Sequence, residues 1–290
     1  MPRIGFIGLG RMGIPILSRV HSSSGVFGIY NRTRAKASLF PSIRSYDEPF
    51  QMGSACDVIL LSLGGDDACE SVMFGGKGLD KTLVPGTVVV NLGTVSLGFA
   101  QSASRRIAQR GGIYLDAPVI GSVDLALEGK LITLVSGDRE SFSRVEPVLK
   151  SFSSDVIYLG VTGNAVKMVL INNLVSATNL AVASEAIVAA ENAGISKETA
   201  MKVMLLGNAH SRVLEMKRKS LSDEQFIPGI ELASMMRNLH YGMDMAEKTG
   251  TPMPLESAAF QYYLAALSIG LGRLDYSSVL RSFRFLSGKS

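Results

Sequence analysis

Short apolar runs alternate with helical apolar spacing over the first 160 residues of the chain. Seven runs predict strands, at residues 3–7, 26–30, 58–63, 87–91, 113–117, 131–136 and 155–159. Two of them, VILLSL and TVVVN, lack polar alternation, which is typical of strands covered on both faces. The order of elements predicts an α/β domain over residues 1–162, with a doubly wound parallel sheet and helices on its outside.

The strand pattern stops near Gly163, and long helical patterns follow. They cover residues 164–193, 197–206, 210–219, 231–249, 254–270 and 275–285, with glycines at several of their ends. This half predicts an all-α domain, residues 163–290, joined by a long interdomain helix and expected to complete the substrate cleft and to dimerise. Met168–Ser184 has no charged side chain but contains several Asn, Ser and Thr residues, so we interpret it as a buried helix and expect no membrane partner.

Three glycines follow the first predicted strand with the spacing GxGxxG. Gly8, Gly10 and Gly13 stand between an apolar run and a helical pattern, which is the context of a dinucleotide-binding turn. In such a turn the first glycine permits the sharp bend, the second lets the backbone approach a pyrophosphate, and the third lets helix and strand pack closely. A Rossmann-type coenzyme domain is therefore expected.

The second predicted strand ends in Asn31, Arg32 and Thr33, where an NAD site usually carries an acidic residue. A carboxylate would repel a 2′-phosphate, whereas a guanidinium can pair with it in a fork. These residues predict NADP as the coenzyme. The alternative is that the glycines form only a tight turn and that Arg32 is a solvated charge.

Composition narrows the function classes further. The net charge is +4 and the pI about 9.0, but Lys and Arg are scattered, and the densest run, 217–219, is expected on a solvated helix face rather than at nucleic acid. The cysteines, Cys56 and Cys69, have neither metal nor redox spacing. They favour a reducing compartment, and with no leader peptide expected ahead of the first strand we predict a cytoplasmic protein without a metal site.

Three segments together resemble the β-hydroxyacid dehydrogenase family, whose members include 3-hydroxyisobutyrate dehydrogenase and glyoxylate or succinic semialdehyde reductases. GFIGLGRMG followed by NRT resembles the coenzyme motif of its NADPH-using members. NLGT, residues 91–94, resembles a segment that places Thr94 near nicotinamide and substrate. DAPVIGSVDLALEGKL, residues 116–131, resembles the substrate signature. The resemblance spans essentially the whole chain and implies a homodimer or homotetramer.

Two positions of the substrate signature depart from the family. Ile120 replaces a serine, and Ser122 brings a hydroxyl two residues later, on the other side of Gly121. The resemblance implies that this segment binds the substrate carboxylate. The departures therefore predict a bulkier, less carboxylate-like substrate.

The catalytic helix departs more strongly. The resemblance implies a lysine as general acid–base and an asparagine one turn later that helps to hold the substrate; ungapped counting puts Val169 and Asn173 at these positions. Lys167 lies two residues earlier, about 200° around the helix from position 169. Lys167 is a candidate proton donor if the helix start is shifted or if its long side chain reaches back around the first turn, and its alternative is a solvated helix-start residue. His240 or Tyr241 would donate the proton instead if either side chain faced the cleft.

The family's Lys-Asp-Leu signature is represented by Arg237-Asn238-Leu239, so Arg237 keeps a cation for coenzyme or substrate. The candidate catalytic residues are Lys167 and Asn173. The coenzyme is assigned to Gly8, Leu9, Gly10, Arg11, Met12, Gly13, Asn31, Arg32, Thr33, Leu63, Thr94 and Arg237. The substrate is assigned to Thr94, Ile120, Gly121, Ser122, Val169 and Asn173.

Three functions remain open. The first is an NADP(H)-dependent oxidoreductase that moves a hydride between nicotinamide and a small β-hydroxy acid or its aldehyde or keto form. The second is a reductase of imines or other carbonyl compounds that works without the family lysine, as imine reductases of similar fold do. The third is a weakly active or non-catalytic NADPH-binding protein, for which nucleosome-associated relatives with an altered lysine are the precedent.

Overall fold

The computed structural model describes residues 2–288 of the chain and separates them into two compact units between Val169 and Leu170. The domain boundary predicted from the sequence, after residue 162, falls just ahead of the long helix that begins at Asn164. That helix continues from the first unit into the second.

The first unit contains one nine-stranded sheet whose strands are short and whose central strands are deeply buried. They are β1 Ile4–Ile7, β2 Gly28–Tyr30, β3 Arg44–Ser45, β4 Val58–Leu61, β5 Val88–Asn91, β6 Ile113–Asp116, β7 Val119–Ile120, β8 Leu131–Gly137 and β9 Ser153–Tyr158. Every residue of β1, β4 and β5 is buried, which explains why their sequences show no polar alternation. The short strands β3 and β7 were not predicted.

The strand order is β3-β2-β1-β4-β5-β6-β8-β7, with β9 paired to β8. The strands from β3 to β6 are parallel, β8 runs antiparallel to both β6 and β7, and β9 is parallel to β8. Chain order reverses between β1 and β4, so a topological switch point lies at the carboxyl ends of these two strands. The doubly wound Rossmann-type sheet predicted from the sequence is thus confirmed.

Helices connect the strands of the first unit, and apolar side chains from both form its core. They are α1 Gly13–Ser24, α2 Phe50–Gly53, α3 Asp66–Phe74, α4 Leu97–Ala108, α5 Val123–Glu128 and α6 Arg139–Leu149. Helix α1 buries Ile16, Leu17 and Val20 at helical spacing, as expected for a helix packed on a sheet.

The second unit is helical throughout the described residues, apart from one isolated β-bridge between Glu231 and Asp275. Its helices are the later part of α7 Asn164–Asn192, then α8 Lys197–Leu206, α9 Arg212–Asp223, α10 Leu232–Lys248, α11 Pro254–Ser268 and α12 Val279–Leu286. These bounds agree with the predicted helical segments to within a few residues. The fold is therefore a Rossmann-type unit followed by an all-α unit, as the sequence predicts.

Helix α7 has the length and composition of a membrane span, and in the part of the chain that the structure describes it alone does so. Half of its most apolar window is buried inside the protein, as in the core helices of many globular proteins. One such helix is weak evidence for a membrane segment.

Candidate coenzyme and substrate site

The three motif glycines lie at the switch point, and they differ in what surrounds them. Gly8 follows β1 with a φ of 103°, and a Cβ there would collide with the carbonyl oxygen of Ser62. A Cβ on Gly13 would collide with the carbonyl oxygen of Gly8. Gly10, in contrast, has no neighbouring atom within 4 Å of its ideal Cβ position. Protein packing requires the outer two glycines, whereas the space beside Gly10 fits the close approach of a ligand.

The N-terminus of α1 faces the same turn and carries nothing that would compete with an anion. No side chain caps the helix at Met12, and its first turn contains no acidic residue. Ile14 N–H already donates to the Gly10 carbonyl and Pro15 has no N–H, so the remaining backbone N–H groups of the turn and the positive end of the helix dipole are what favours a phosphate here. The residues present fit the pyrophosphate of a dinucleotide.

Two residues assigned to the coenzyme, Leu9 and Met12, point their side chains into the protein. Leu9 is fully buried in the core of the first unit, and Met12 packs against that core. Only their backbones are left for a ligand, while Arg11 is exposed at the turn. The sequence assignment of Leu9 and Met12 thus concerns the shape of the loop rather than side-chain contacts.

Asn31 ties the end of β2 to the glycine turn. Its Oδ1 accepts a hydrogen bond from the Leu9 backbone N–H at 2.8 Å, and its Nδ2 donates to the Thr33 carbonyl at 2.9 Å. Asn31 therefore orders the loop. Arg32 and Thr33 are exposed beside it. Arg34 forms an ion pair with Asp47 at 3.2 Å, whereas Arg32 has no ion pair among residues 2–288.

Leu63 and Thr94 follow adjacent parallel strands and lie at the same edge of the sheet. Leu61 is in register with Asn91, so the segments after β4 and β5 leave the sheet side by side. Both Leu63 and Thr94 are half-buried. Three bonds hold the Thr94 loop. Gly93 N–H donates to Asn91 Oδ1 at 3.1 Å, and Ser96 donates to Asp66 through its N–H at 2.8 Å and through its Oγ at 2.6 Å.

The segment assigned to the substrate forms a short strand and a helix start. Ile120 pairs with Ile132 of β8, Gly121 has a φ of 142°, and all three assigned residues are half-buried. Ser122 Oγ accepts a hydrogen bond from the Leu125 N–H at 3.2 Å and so caps α5. The hydroxyl that the sequence assigns to the substrate has this structural role as well.

Helix α7 begins at Asn164, so Lys167 belongs to its first turn and is not displaced into a preceding loop. Lys167 is half-buried, and its Nζ donates to Asn164 Oδ1 at 3.2 Å. Asn164 is fixed in turn because its Nδ2 donates to the Leu159 carbonyl at 2.8 Å. Val169, which occupies the position of the family lysine, is only 1% exposed.

Two further residues near the start of α7 were missed as functional candidates. Asp116 and Ser136 are both buried, and each accepts a hydrogen bond from the backbone at the helix start. Asp116 belongs to the DAP segment of the substrate signature, which could have drawn attention to it. No sequence pattern indicates that Ser136 lies beside it.

The second unit holds Asn173 and Arg237. Asn173 is buried, one turn beyond Val169 on α7. Arg237 is half-buried on α10, and its Nε has no hydrogen-bond partner in the described structure. The expectation of a solvated basic run at 217–219 is wrong for Lys217, whose side chain is 14% exposed and pairs with the fully buried Asp275 at 2.8 Å.

No group of three or more His, Cys, Asp and Glu side chains within residues 2–288 is arranged to hold a metal ion. Neither Cys56 nor Cys69 forms a disulfide in the described part of the chain, and both are buried. Burial raises the pKa of the Cys56 thiol to about 12, which leaves it protonated at neutral pH.

Comparison with protein families covers almost the whole chain. Residues 3–160 match the NAD-binding domain of 6-phosphogluconate dehydrogenase, and residues 162–283 match the NAD-binding domain of NADP-dependent 3-hydroxyisobutyrate dehydrogenase. The first match alone exceeds half of the 290 residues. Both units therefore have counterparts in NAD(P)-binding dehydrogenases.

Individual relatives agree with the family matches. The chicken (Gallus gallus) cytokine-like nuclear factor N-PAC is 28% identical over 97% of this chain and 51% of its own. Glyoxylate/succinic semialdehyde reductase 1 of Arabidopsis thaliana is 26% identical over 97% of this chain and 98% of its own. The structure of Mycobacterium tuberculosis 3-hydroxyisobutyrate dehydrogenase with L-serine superposes with a TM-score of 0.85 at 25% identity, over 98% of this chain and 99% of that one. The chain spans about half the length of the N-PAC proteins it matches.

Proposed function

The chain belongs to the β-hydroxyacid dehydrogenase family, and from this premise we propose that it is an NADP(H)-dependent oxidoreductase of a small β-hydroxy acid or its aldehyde or keto form. The family consists of oxidoreductases that act on CH–OH groups of hydroxy acids. The observation that carries the proposal is the cradle at the switch point, where open space at Gly10 meets an uncapped helix N-terminus. Exposed Arg32, without an ion pair among the described residues, supports NADP over NAD.

The residues of the first unit divide the work of coenzyme binding. The turn at Gly10 and the start of α1 receive the pyrophosphate, and Asn31 keeps this turn in place through the Leu9 N–H. Arg32 and Thr33 receive the 2′-phosphate. Leu63 and Thr94 lie beside the nicotinamide end of the coenzyme. When bound, the coenzyme supplies or accepts the hydride that a CH–OH oxidation or carbonyl reduction requires.

Lys167 supplies or removes the proton on the substrate oxygen. Its ammonium is held at 3.2 Å from Asn164 Oδ1, so the flexible side chain has one preferred position on the helix. A proton donor within hydrogen-bond reach of the reacting oxygen is needed because charge develops there during the reaction. Val169, which is 1% exposed, leaves the position of the family lysine without a proton donor, and Asn173 remains assigned to the substrate by the resemblance.

A panel of small hydroxy acids and semialdehydes, followed by NADPH absorbance, tests this function. We expect turnover, and we expect Lys167→Met to lower kcat by about 100-fold while NADPH still binds. Lys150→Met is the matched control, because Lys150 is an exposed lysine of the same unit whose ion-pair partner within residues 2–288 is Glu146. Full activity of Lys167→Met would refute the role of Lys167.

The burial of Val169 favours a second candidate, a reductase of imines or other carbonyl compounds that needs no lysine. An imine or carbonyl reductase would have the same coenzyme and the same fold as a hydroxy-acid dehydrogenase, but a different substrate. Turnover of cyclic imines, but not of hydroxy acids or semialdehydes, would support this candidate. NADPH binding without turnover of either class would favour the third function, a weakly active or non-catalytic NADPH-binding protein.

Homodimer or homotetramer formation is part of the proposal. The second unit exposes large apolar side chains, among them Leu206 at 80%, Ile227 at 75% and Leu255 at 71%. Exposed apolar surface of this kind marks association surfaces. Sedimentation velocity at micromolar concentration should therefore give a dimer or tetramer mass, and a monomer would contradict it. A cytoplasmic location, consistent with two cysteines that form no disulfide in the described structure, is proposed as well and is tested by cell fractionation.

A further inference from the structure

A buried carboxylate joins the end of β6 to the start of α7. Asp116 is 1% exposed, and its Oδ2 accepts hydrogen bonds from the Gly163 N–H at 2.6 Å and from Ser136 Oγ at 2.9 Å. Ser136, fully buried on β8, accepts in turn from the Ala165 N–H at 3.0 Å. Two side chains from two strands therefore satisfy two backbone donors on either side of Asn164.

The charge of Asp116 has little other compensation in the first unit. Its Oδ1 has no hydrogen-bond partner in the described structure, and no Lys or Arg among residues 2–288 forms an ion pair with it. Burial raises the pKa of Asp116, and hydrogen bonding by Gly163, Ser136 and the buried Tyr114 only partly offsets this. What attracts the carboxylate is the N-terminal end of α7, whose N–H groups and dipole favour a negative charge.

A second buried carboxylate shows how a purely structural site is built. Asp275, in the second unit, accepts from Lys217 Nζ at 2.8 Å, from the Gly229 N–H at 2.9 Å, and from Ser277 through both its N–H and its hydroxyl. Both oxygens are used and a cation neutralises the charge. Asp116 differs because no Lys or Arg of residues 2–288 pairs with it, and because its Oδ2 accepts from the Gly163 N–H at the start of α7.

The helix start that Asp116 holds is the one that carries the candidate proton donor. Lys167 lies two residues after Ala165, and its partner Asn164 stands between the two bonded N–H groups. Gly163 itself has a φ of 96°, which only glycine adopts without strain, so the chain enters the helix through a position that a side chain would disturb. A shift of the first turn would move Lys167 directly.

We propose that Asp116 and Ser136 are positioning residues, which fix the first turn of α7 on the sheet and thereby hold Lys167 and Asn164 at the reacting oxygen. The proposal rests on the proposed function for the role of Lys167. The hydrogen bonds to Gly163 and Ala165 are independent of that function. Neither residue is expected to touch the coenzyme at the glycine turn.

The test compares Asp116→Ala, Asp116→Asn and Ser136→Ala in the full chain with Asp138→Asn as a matched control. Asp138 also caps a helix of the first unit, accepting from the Ser141 N–H at 2.7 Å, but that helix is α6. For each protein, NADPH affinity, kcat and KM are measured together with amide hydrogen exchange of residues 160–168.

We expect Asp116→Ala and Ser136→Ala to raise exchange at Gly163 and Ala165 and to lower kcat by about tenfold or more, with NADPH affinity within about threefold of wild type. Asp116→Asn keeps an acceptor oxygen, so it should recover part of both effects, a rescue that bulk destabilisation would not show. Asp138→Asn should change neither. Unchanged exchange and unchanged kcat in a folded Ser136→Ala variant would overturn the proposal, as would a parallel loss of NADPH affinity.

The two proposals can fail separately. If wild type binds NADPH but turns over no substrate, the proposed function fails while the exchange of residues 160–168 still reports whether Asp116 and Ser136 fix the helix. If kcat depends on Lys167 but exchange and kcat are indifferent to Ser136→Ala, the positioning role fails and the proposed function stands.

Discussion

Helices α1 and α7 both begin in the first unit, close to strand ends, and they differ in whether protein side chains bind the backbone at their N-termini. The start of α1 has no side-chain cap and no acidic residue, and the adjoining Gly10 borders open space. The start of α7 is closed from inside by Asp116 and Ser136, which accept from Gly163 and Ala165. One N-terminus is left free for an anion, and the other is already satisfied by the protein.

On the proposed function, this difference separates coenzyme binding at the start of α1 from proton transfer at the start of α7. A ligand's phosphates can supply what the start of α1 lacks, so the coenzyme completes that helix. The start of α7 needs no ligand to complete it and instead serves as a fixed support for Lys167. A chain can therefore keep its coenzyme cradle intact while the side chains on α7 diverge, as Val169 shows.

The largest effect is expected from Gly8→Ala. An added Cβ would collide with the Ser62 carbonyl oxygen, and the φ of 103° is strained for alanine. We expect the free energy of unfolding to fall by about 3 kcal/mol or more, because neither the backbone of β4 nor the turn can move aside freely. Urea unfolding followed by circular dichroism measures it. A variant as stable as wild type would show that the tight turn is not required.

Gly10→Ala should separate stability from binding. No atom lies within 4 Å of the added Cβ, so the melting temperature should change by less than about 4 °C. NADPH affinity should fall by about tenfold, since the methyl group occupies the space that a pyrophosphate would approach, a loss of about 1.4 kcal/mol. Calorimetric titration gives this affinity, and unchanged binding would contradict the cradle at α1.

The smallest expected effect is a pH dependence of stability that comes from Asp116 at the start of α7. The folded-state pKa of Asp116 is raised by burial above its ordinary value of 3.8, so wild type loses the contribution of this group as pH rises from that value through the raised pKa. Asp116→Asn lacks this loss, and its melting temperature relative to wild type should improve between pH 4 and pH 7.

Asp138 supplies a control of opposite sign. The hydrogen bond from the Ser141 N–H lowers its pKa, so ionised Asp138 stabilises the fold above its ordinary pKa, and this contribution is lost as pH falls through the lowered value. Asp138→Asn should therefore become less favourable relative to wild type as pH rises. Melting curves at four pH values measure how the melting temperatures of Asp116→Asn and Asp138→Asn change relative to wild type. If both changed in the same direction with pH, the opposite pKa shifts of Asp116 and Asp138 would be contradicted.

Local sequence patterns predict the start of α1 well and the start of α7 poorly. Glycine spacing, buried strands and helical periodicity are encoded within about 30 consecutive residues, so the α1 cradle and most element bounds follow from them. The contact of Asp116 with Gly163 joins residues 47 positions apart, and Ser136 reaches Ala165 across 29. No periodicity marks such pairs. Lys217 was misjudged for the same reason, because its partner Asp275 is 58 positions away.

The coenzyme preference tests the account most directly. NADPH and NADH are titrated against wild type and Arg32→Ala at one fixed ionic strength, because the exposed guanidinium acts through a screened charge. We predict that wild type binds NADPH at least about tenfold more tightly than NADH, and that Arg32→Ala loses this preference while NADH affinity stays within about twofold. Equal affinities in wild type, or a preference for NADPH that survives in Arg32→Ala, would contradict the account.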